Sequence, residues 1–313
     1  MARFLVFLLL LNLMAGFSTL PAAVYGDTVP VLSIDGGGIK GIIPAVILEY
    51  LESAIQKVSN DKNARVADYY DVVAGTSAGG LMTAMLTAPN PNNPKRPLFT
   101  AKEIVEFYKK ECPHIFNGSE ITMHATLMIQ TKKSPELNAL LSDIAISTSA
   151  APTYLPSYNF KNGDAEFNMI DGAAFADNPA FVALDEVLQS QQGKKDTKFL
   201  LLSIGTGIQE TKGWNATEAK RWSAKLDTLD EAKDEILESL EIAGKQLLKE
   251  AAKRMNTITF EPENINITNA EALDRLAETL YKLKQQRLGK ISSLEMKKSQ
   301  KILKKKATWF AFM

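Results

Sequence analysis

The chain has 313 residues, 45% of them hydrophobic and 23% charged, the balance of a folded globular protein and not of a disordered one. Lys+Arg and Asp+Glu number 36 each, so there is no basic excess of the kind that binds nucleic acid through bulk charge. A single cysteine, Cys112, excludes an intramolecular disulfide framework, and two histidines, His114 and His124, restrict the acid–base chemistry available.

Residues 1–26 read as a secretory signal peptide: Arg3 supplies positive charge, residues 4–13 are apolar, and Ala22, Ala23 and Gly26 are small residues near a cleavage point. The apolar run is shorter than the roughly 20 residues that a membrane span needs. Entry into the secretory pathway makes the sequons at Asn117, Asn215 and Asn266 candidate glycosylation sites. Residues 29–34 are an apolar, β-branched run expected to form a buried strand, which enters Asp35-Gly36-Gly37-Gly38. An amphipathic helix follows, with Ile43, Val46, Ile47, Tyr50, Leu51, Ala54, Ile55 and Val58 on one face and Pro44 in the first turn. A second strand is expected at residues 69–74, then a glycine-containing turn at 75–80 and a helix over 81–86. Residues 90–97, rich in Pro and Asn, read as a loop, and residues 199–204 as a third buried strand closed by Gly205-Thr206-Gly207.

Strand, glycine turn and helix in repetition predict an α/β domain, three-layered α/β/α with a mostly parallel central sheet. Functional loops then belong at the carboxyl ends of the strands. The last third is helical in pattern. Thr228 with Glu231 and Thr268 with Glu271 have capping-box spacing, and leucine stripes follow each pair. The domain is expected over residues 27–287, followed by a lysine-rich tail, 288–313, expected to be solvated and partly disordered.

Gly75-Thr76-Ser77-Ala78-Gly79 fits the G-x-S-x-G elbow, in which a sharp strand-to-helix turn pushes a serine hydroxyl out of the sheet edge. Gly36, Gly38 and Gly41 match the spacing of a dinucleotide loop, with Asp61 as its acidic partner beyond a helix; the same amides could instead form an oxyanion hole, which a nearby activated serine favours. A Walker loop is excluded because no Gly-Lys-Ser/Thr follows. No histidine lies downstream of residue 124, so a serine–acid–histidine order is poorly supported. A carboxylate acting directly on the serine is the simple remaining option, and Asp171-Gly172-Ala173 after apolar residues offers one. No His/Cys/carboxylate cluster has metal-ligand spacing, so no metal or cofactor is expected.

Together, the glycine triplet of residues 35–41, Gly75 to Gly80 and the late Asp171-Gly172-Ala173 resemble the patatin-like phospholipase family. The likeness extends through Ser33-Ile34-Asp35, residues 67–71, residues 149–154 and residues 201–207. The nearest resemblance is to the plant vacuolar patatins, storage glycoproteins with lipid acyl hydrolase activity and a part in defence. The resemblance implies Ser77 as nucleophile and Asp171 as its base. It implies the amides of Gly36, Gly37, Gly38 and Ala78 as oxyanion hole, with Asp35, Lys40, Gly41, Gly75, Gly79 and Gly172 in supporting positions. It also implies phospholipid, galactolipid or other fatty-acyl ester substrates, transient contact with a membrane surface, and a vacuolar or extracellular location. Three departures stand out: Lys40 replaces the family's usual arginine, and the segments near 117–134 and 222–229 are shortened. The rival expectation is a storage or defence glycoprotein whose esterase site is weakened.

Overall fold

The computed structural model describes residues 28–116, 139–152, 154–190, 197–207, 232–255 and 262–310, with side chains of the last helix described as far as Lys290. The signal peptide, Asn117, His124, Asn215 and the Thr228–Glu231 pair lie outside the described residues.

Strand β1 (Thr28–Ile34) is the middle of a three-stranded parallel sheet, between β2 (Val72–Gly75) and β7 (Lys198–Ile204). Ile34 stands opposite Gly75 on one side and Ile204 on the other. The three strands therefore end in register, and the loops that follow them emerge side by side from one edge. Alternate side chains of β1 face opposite ways, as the pleat requires. Val29 and Val31 pack with Ala74 of β2 against Ala183 and Val187 of helix α6 (Ala180–Ser190). Leu32 and Ile34 go to the other face and join the main core. Each of these side chains is fully buried, a contribution of about 1.5–3 kcal/mol apiece.

That main core is organised by α1 (Ile42–Ser59), whose apolar face carries Ile42, Ile43, Val46, Leu51 and Ile55. Against α1 pack α3 (Ala101–Phe116), α7 (Asp234–Leu247) and α8 (Asn269–Phe310). With α6 on one face of the sheet and these helices on the other, the architecture is the expected α/β/α sandwich. A buried carboxylate stitches its parts together: Glu52 on α1 accepts the N–H groups of Val66 (3.1 Å) and of Ala101 at the start of α3 (3.2 Å). The first turn of α8 is fixed by a reciprocal capping box, Thr268 N–H to Glu271 Oε2 at 2.7 Å and Glu271 N–H to Thr268 Oγ1 at 3.2 Å.

Four local expectations change. The second strand begins at Val72 and not at residue 69, because Val66–Tyr69 closes a 3₁₀ turn in which Asp68 caps the Arg65 N–H at 3.0 Å. Its helix α2 (Ala78–Thr87) starts at Ala78, so Gly79 and Gly80 lie in its first turn. Residues 90–97 form most of an antiparallel hairpin of β3 (Pro89–Asn90) and β4 (Asn93–Pro97). Helix α8 runs through Arg287, where the tail was expected to begin, and continues to Phe310.

Candidate active site

Ser77 sits at the turn between β2 and α2 with φ 52° and ψ −125°, a conformation that L-residues rarely adopt. Such geometry costs on the order of 1–3 kcal/mol and persists only where the surroundings impose it. The glycines on either side are required by close approach. A Cβ on Gly79 would stand 2.2 Å from the Ile34 carbonyl oxygen, and one on Gly75 would stand 2.1 Å from the Gly79 oxygen. Neither obstacle is a movable side chain, so larger residues would force the elbow away from β1.

Asp171 follows the hairpin of β5 (Tyr158–Asn162) and β6 (Ala165–Met169) and precedes the short helix α5 (Ala173–Ala176). It is 2% exposed. The Ser77 hydroxyl donates to Asp171 Oδ2 at 2.6 Å, and the Ala173 N–H donates to Oδ1 at 2.8 Å. Burial pushes this carboxyl above the usual range, against the two hydrogen bonds, and the Asp177 carboxylate pushes it up further. A base strengthened in this way is suited to taking a proton from a hydroxyl.

One residue bridges the serine and aspartate loops. Thr148, the last residue of α4 (Leu141–Thr148), accepts the Ser77 N–H on its side-chain oxygen at 2.9 Å. Its carbonyl accepts the Gly172 N–H at 3.4 Å, and two residues on the Ala150 carbonyl accepts the Asp171 N–H at 2.9 Å. The Thr76 hydroxyl adds a 2.7 Å bond to the Ala176 carbonyl at the end of α5. The hydroxyl–carboxylate contact is thus held from both chains of the turn.

The glycine loop after β1 lies against the serine: a Cβ on Gly36 would stand 3.1 Å from Ser77 Cβ. Its first amide is already engaged, since Gly36 N–H donates to the Asp177 carbonyl at 3.2 Å. The amides of Gly37, Gly38 and Ala78 have no acceptor among the described residues. The Lys40 N–H closes the 3₁₀ turn of Gly38–Gly41 onto the Gly37 carbonyl at 3.0 Å. Gly41 leaves room for the Tyr108 ring, whose hydroxyl donates to the Ala78 carbonyl at 3.3 Å.

Asp177 and Asn178 belong to this site although no sequence pattern singled them out. Asn178 Nδ2 donates to Ser203 Oγ at 3.0 Å and, more weakly, to Asp35 Oδ2 at 3.4 Å, while Asp35 Oδ1 is buried with no partner among the described residues. Burial and the neighbouring Asp177 carboxylate push Asp35 up to about 6, against the Asn178 bond. Asp177 itself is raised by burial, against its bond with Gly36. Of the other groups weighed from sequence, His114 is exposed on α3 and Cys112 is buried there with its thiol pushed up to about 12, which leaves it unreactive. Asn266 is exposed on β8 (Pro262–Thr268).

The family profile for Patatin-like phospholipase matches residues 32–122, which include the glycine loop and Ser77. Patatin-13 of Solanum tuberosum is 36% identical over 353 aligned positions, covering 89% of each chain. Patatin-like protein 2 of Arabidopsis thaliana is 36% identical over 84% of each chain, and Patatin-2-Kuras 3 of Solanum tuberosum is 44% identical over 64% of this chain and 66% of its own. An alignment of 353 positions exceeds the 313 residues of this chain, so that relative has residues without a counterpart here. Across nearly its whole length, and with the elbow serine inside the matched profile, the chain belongs to the patatin-like phospholipase family, which includes lipid acyl hydrolases.

Proposed function

We propose that the protein is a lipid acyl hydrolase that cleaves fatty-acyl esters through a Ser77–Asp171 dyad. The observation that carries this reading is the 2.6 Å bond from the Ser77 hydroxyl to Asp171 Oδ2, made at a strained elbow beside three amides that have no acceptor among the described residues. Asp171 takes the hydroxyl proton as Ser77 Oγ attacks the ester carbonyl. The carbonyl oxygen gains negative charge, and the N–H groups of Gly37, Gly38 and Ala78 stabilise it. Collapse expels the alcohol, which leaves with the proton from Asp171, and the acyl group stays on Ser77. Water then attacks the acyl-enzyme, gives its proton to Asp171, and releases the fatty acid as Ser77 is reprotonated. With Asp171 in direct contact with the nucleophile, no histidine is needed.

Phospholipid or galactolipid at a membrane surface is the substrate class that the family relationship supports, and the apolar leader and exposed Asn266 sequon support passage through the secretory pathway to the vacuole. The second reading, a storage or defence glycoprotein with weakened activity, is supported by the residues that Patatin-13 has and this chain lacks. Release of fatty acid from mixed phospholipid–galactolipid vesicles, compared between the unaltered chain and Ser77→Ala, tests the proposal. A Ser77-dependent loss of at least about a thousandfold is expected. Equal release by both proteins, with unchanged circular dichroism, would refute it.

A further inference from the structure

We infer that Thr206 is a positioning residue for the oxyanion-binding loop: its hydroxyl holds the Gly36 carbonyl toward β7 and so turns the Gly37 N–H toward Ser77. The inference rests on the acyl-hydrolase reading above. The three loops at the carboxyl edge stand in the order of their strands, with the Ser77 turn after β2, the glycine loop after β1 in the middle, and Gly205-Thr206-Gly207 after β7. Thr206 Oγ1 donates to the Gly36 carbonyl oxygen at 2.9 Å. In a trans peptide the carbonyl of one residue and the N–H of the next point in opposite directions. The peptide joining Gly36 to Gly37 is trans, so drawing its oxygen toward the β7 side directs its N–H to the β2 side, where Ser77 lies.

Neighbouring contacts leave this peptide little freedom. Upstream, Asp35 N–H donates to the Ile204 carbonyl at 3.0 Å and Gly36 N–H to the Asp177 carbonyl at 3.2 Å. Downstream, the Thr206 side chain packs on the Gly37 Cα so closely that a Cβ there would lie 2.4 Å from its Oγ1 and 2.7 Å from its Cγ2. Among the described residues the hydroxyl is the one hydrogen-bond donor to the Gly36 carbonyl, so the direction of the Gly37 dipole depends on it. Fixed dipoles aimed at developing charge need no reorganisation during the reaction, and losing one such donor outright slows an acyl transfer by about 100- to 1,000-fold. Losing only its anchor should have a smaller effect of the same kind.

The test compares Thr206→Val, which keeps the shape and removes the hydroxyl, with Thr206→Ser, which keeps the hydroxyl and removes the methyl. Steady-state hydrolysis of p-nitrophenyl butyrate is measured for the full chain, beside the rate at which a fluorophosphonate modifies Ser77. For Thr206→Val, kcat is expected to fall roughly ten- to a hundredfold with KM within about threefold, and fluorophosphonate reaction to slow in parallel because it too builds charge on an oxygen. Thr206→Ser is expected to keep kcat within about threefold of the unaltered chain. Should the valine variant fail to fold, Thr206→Ala set against Thr206→Ser carries the same contrast. Full kcat without the hydroxyl, or an equal loss in the serine variant, overturns the inference while the hydrolase reading stands. No Ser77-dependent turnover in the unaltered chain overturns the hydrolase reading, and the inference falls with it.

Discussion

Ser77 and Asp171 stand 94 residues apart in sequence, yet the hydroxyl of one donates to the carboxylate of the other at 2.6 Å in a buried setting. The carboxylate's second oxygen is occupied by the Ala173 N–H, so its orientation does not depend on the serine. Asp171→Asn replaces the acceptor with an amide that has no useful basicity and leaves the shape intact. The expected result is a fall in kcat on the order of a thousandfold, close to that of Ser77→Ala, because the two act as one unit and their effects do not add. A mild Asp171→Asn beside a severe His114→Ala would show that the base lies elsewhere.

The pH profile carries a signed prediction. On the proposed dyad, activity requires ionised Asp171, so the rate is expected to fall as pH drops through its raised pKa, and the Asp177 carboxylate is one cause of that raising. Asp177→Asn removes a negative charge, lowers the Asp171 pKa, and moves the acidic limb of log kcat/KM to lower pH. It should also draw Asp35 down from about 6, since Asp177 acts on both carboxyls. An acidic limb that stays in place, or moves upward, would show that Asp177 does not influence the base.

Arg287 predicts where stability is concentrated. From α8 it grips Asp71 with Nη1–Oδ1 at 2.6 Å and Nη2–Oδ2 at 2.7 Å, and it also donates to the Thr28 carbonyl at 2.8 Å. One guanidinium thus ties the last helix to the starts of β1 and β2. Both side chains are largely buried, at 18% and 12% exposed, so screening by water is limited. Arg287→Ala is expected to lower unfolding free energy by about 3 kcal/mol, with Asp71→Ala similar and the double variant far less than their sum. Urea denaturation of the three variants measures this; additive losses would mean that the pair is not coupled.

Strand β7 pairs only with β1 among the described residues, and Leu201 on it is 40% exposed. An apolar strand at a sheet edge leaves N–H and C=O groups unpaired and surface uncovered. The chain is therefore expected to melt lower, and to hydrolyse esters more slowly, than Patatin-13, which aligns over more positions than this chain has residues. Equal melting temperatures and equal specific activities in parallel assays would show that the additional residues are dispensable.

The legible part of this molecule lay where local chemistry and tertiary structure agree. β1 and β7 are apolar runs ending in glycine turns, and they fold as read, each beginning one residue earlier. The elbow around Ser77 was legible because close approach to Ile34 demands glycine at fixed positions. The start of β2 was not, since Val66 to Tyr69 is held in a 3₁₀ turn by Glu52, a partner 14 residues away. Asp177 and Thr148 are illegible for the same reason. Nothing beside Asp177 in sequence tells of Asp35, and nothing beside Thr148 tells of Ser77, 71 residues earlier. Residues 288–310 read as a tail because their lysine-rich run carries little apolar pattern, and the backbone there continues helix α8.

Covalent labelling tests whether Ser77 is a nucleophile activated by Asp171. The full chain is treated with a fluorophosphonate, and the adduct is located by peptide mass spectrometry at matched times in the unaltered protein, Ser77→Ala and Asp171→Asn. One adduct per chain is expected, on Ser77, with none at this site in Ser77→Ala and labelling slowed by about a hundredfold or more in Asp171→Asn. An adduct on another residue, or undiminished labelling of Ser77 without the carboxylate, would contradict it.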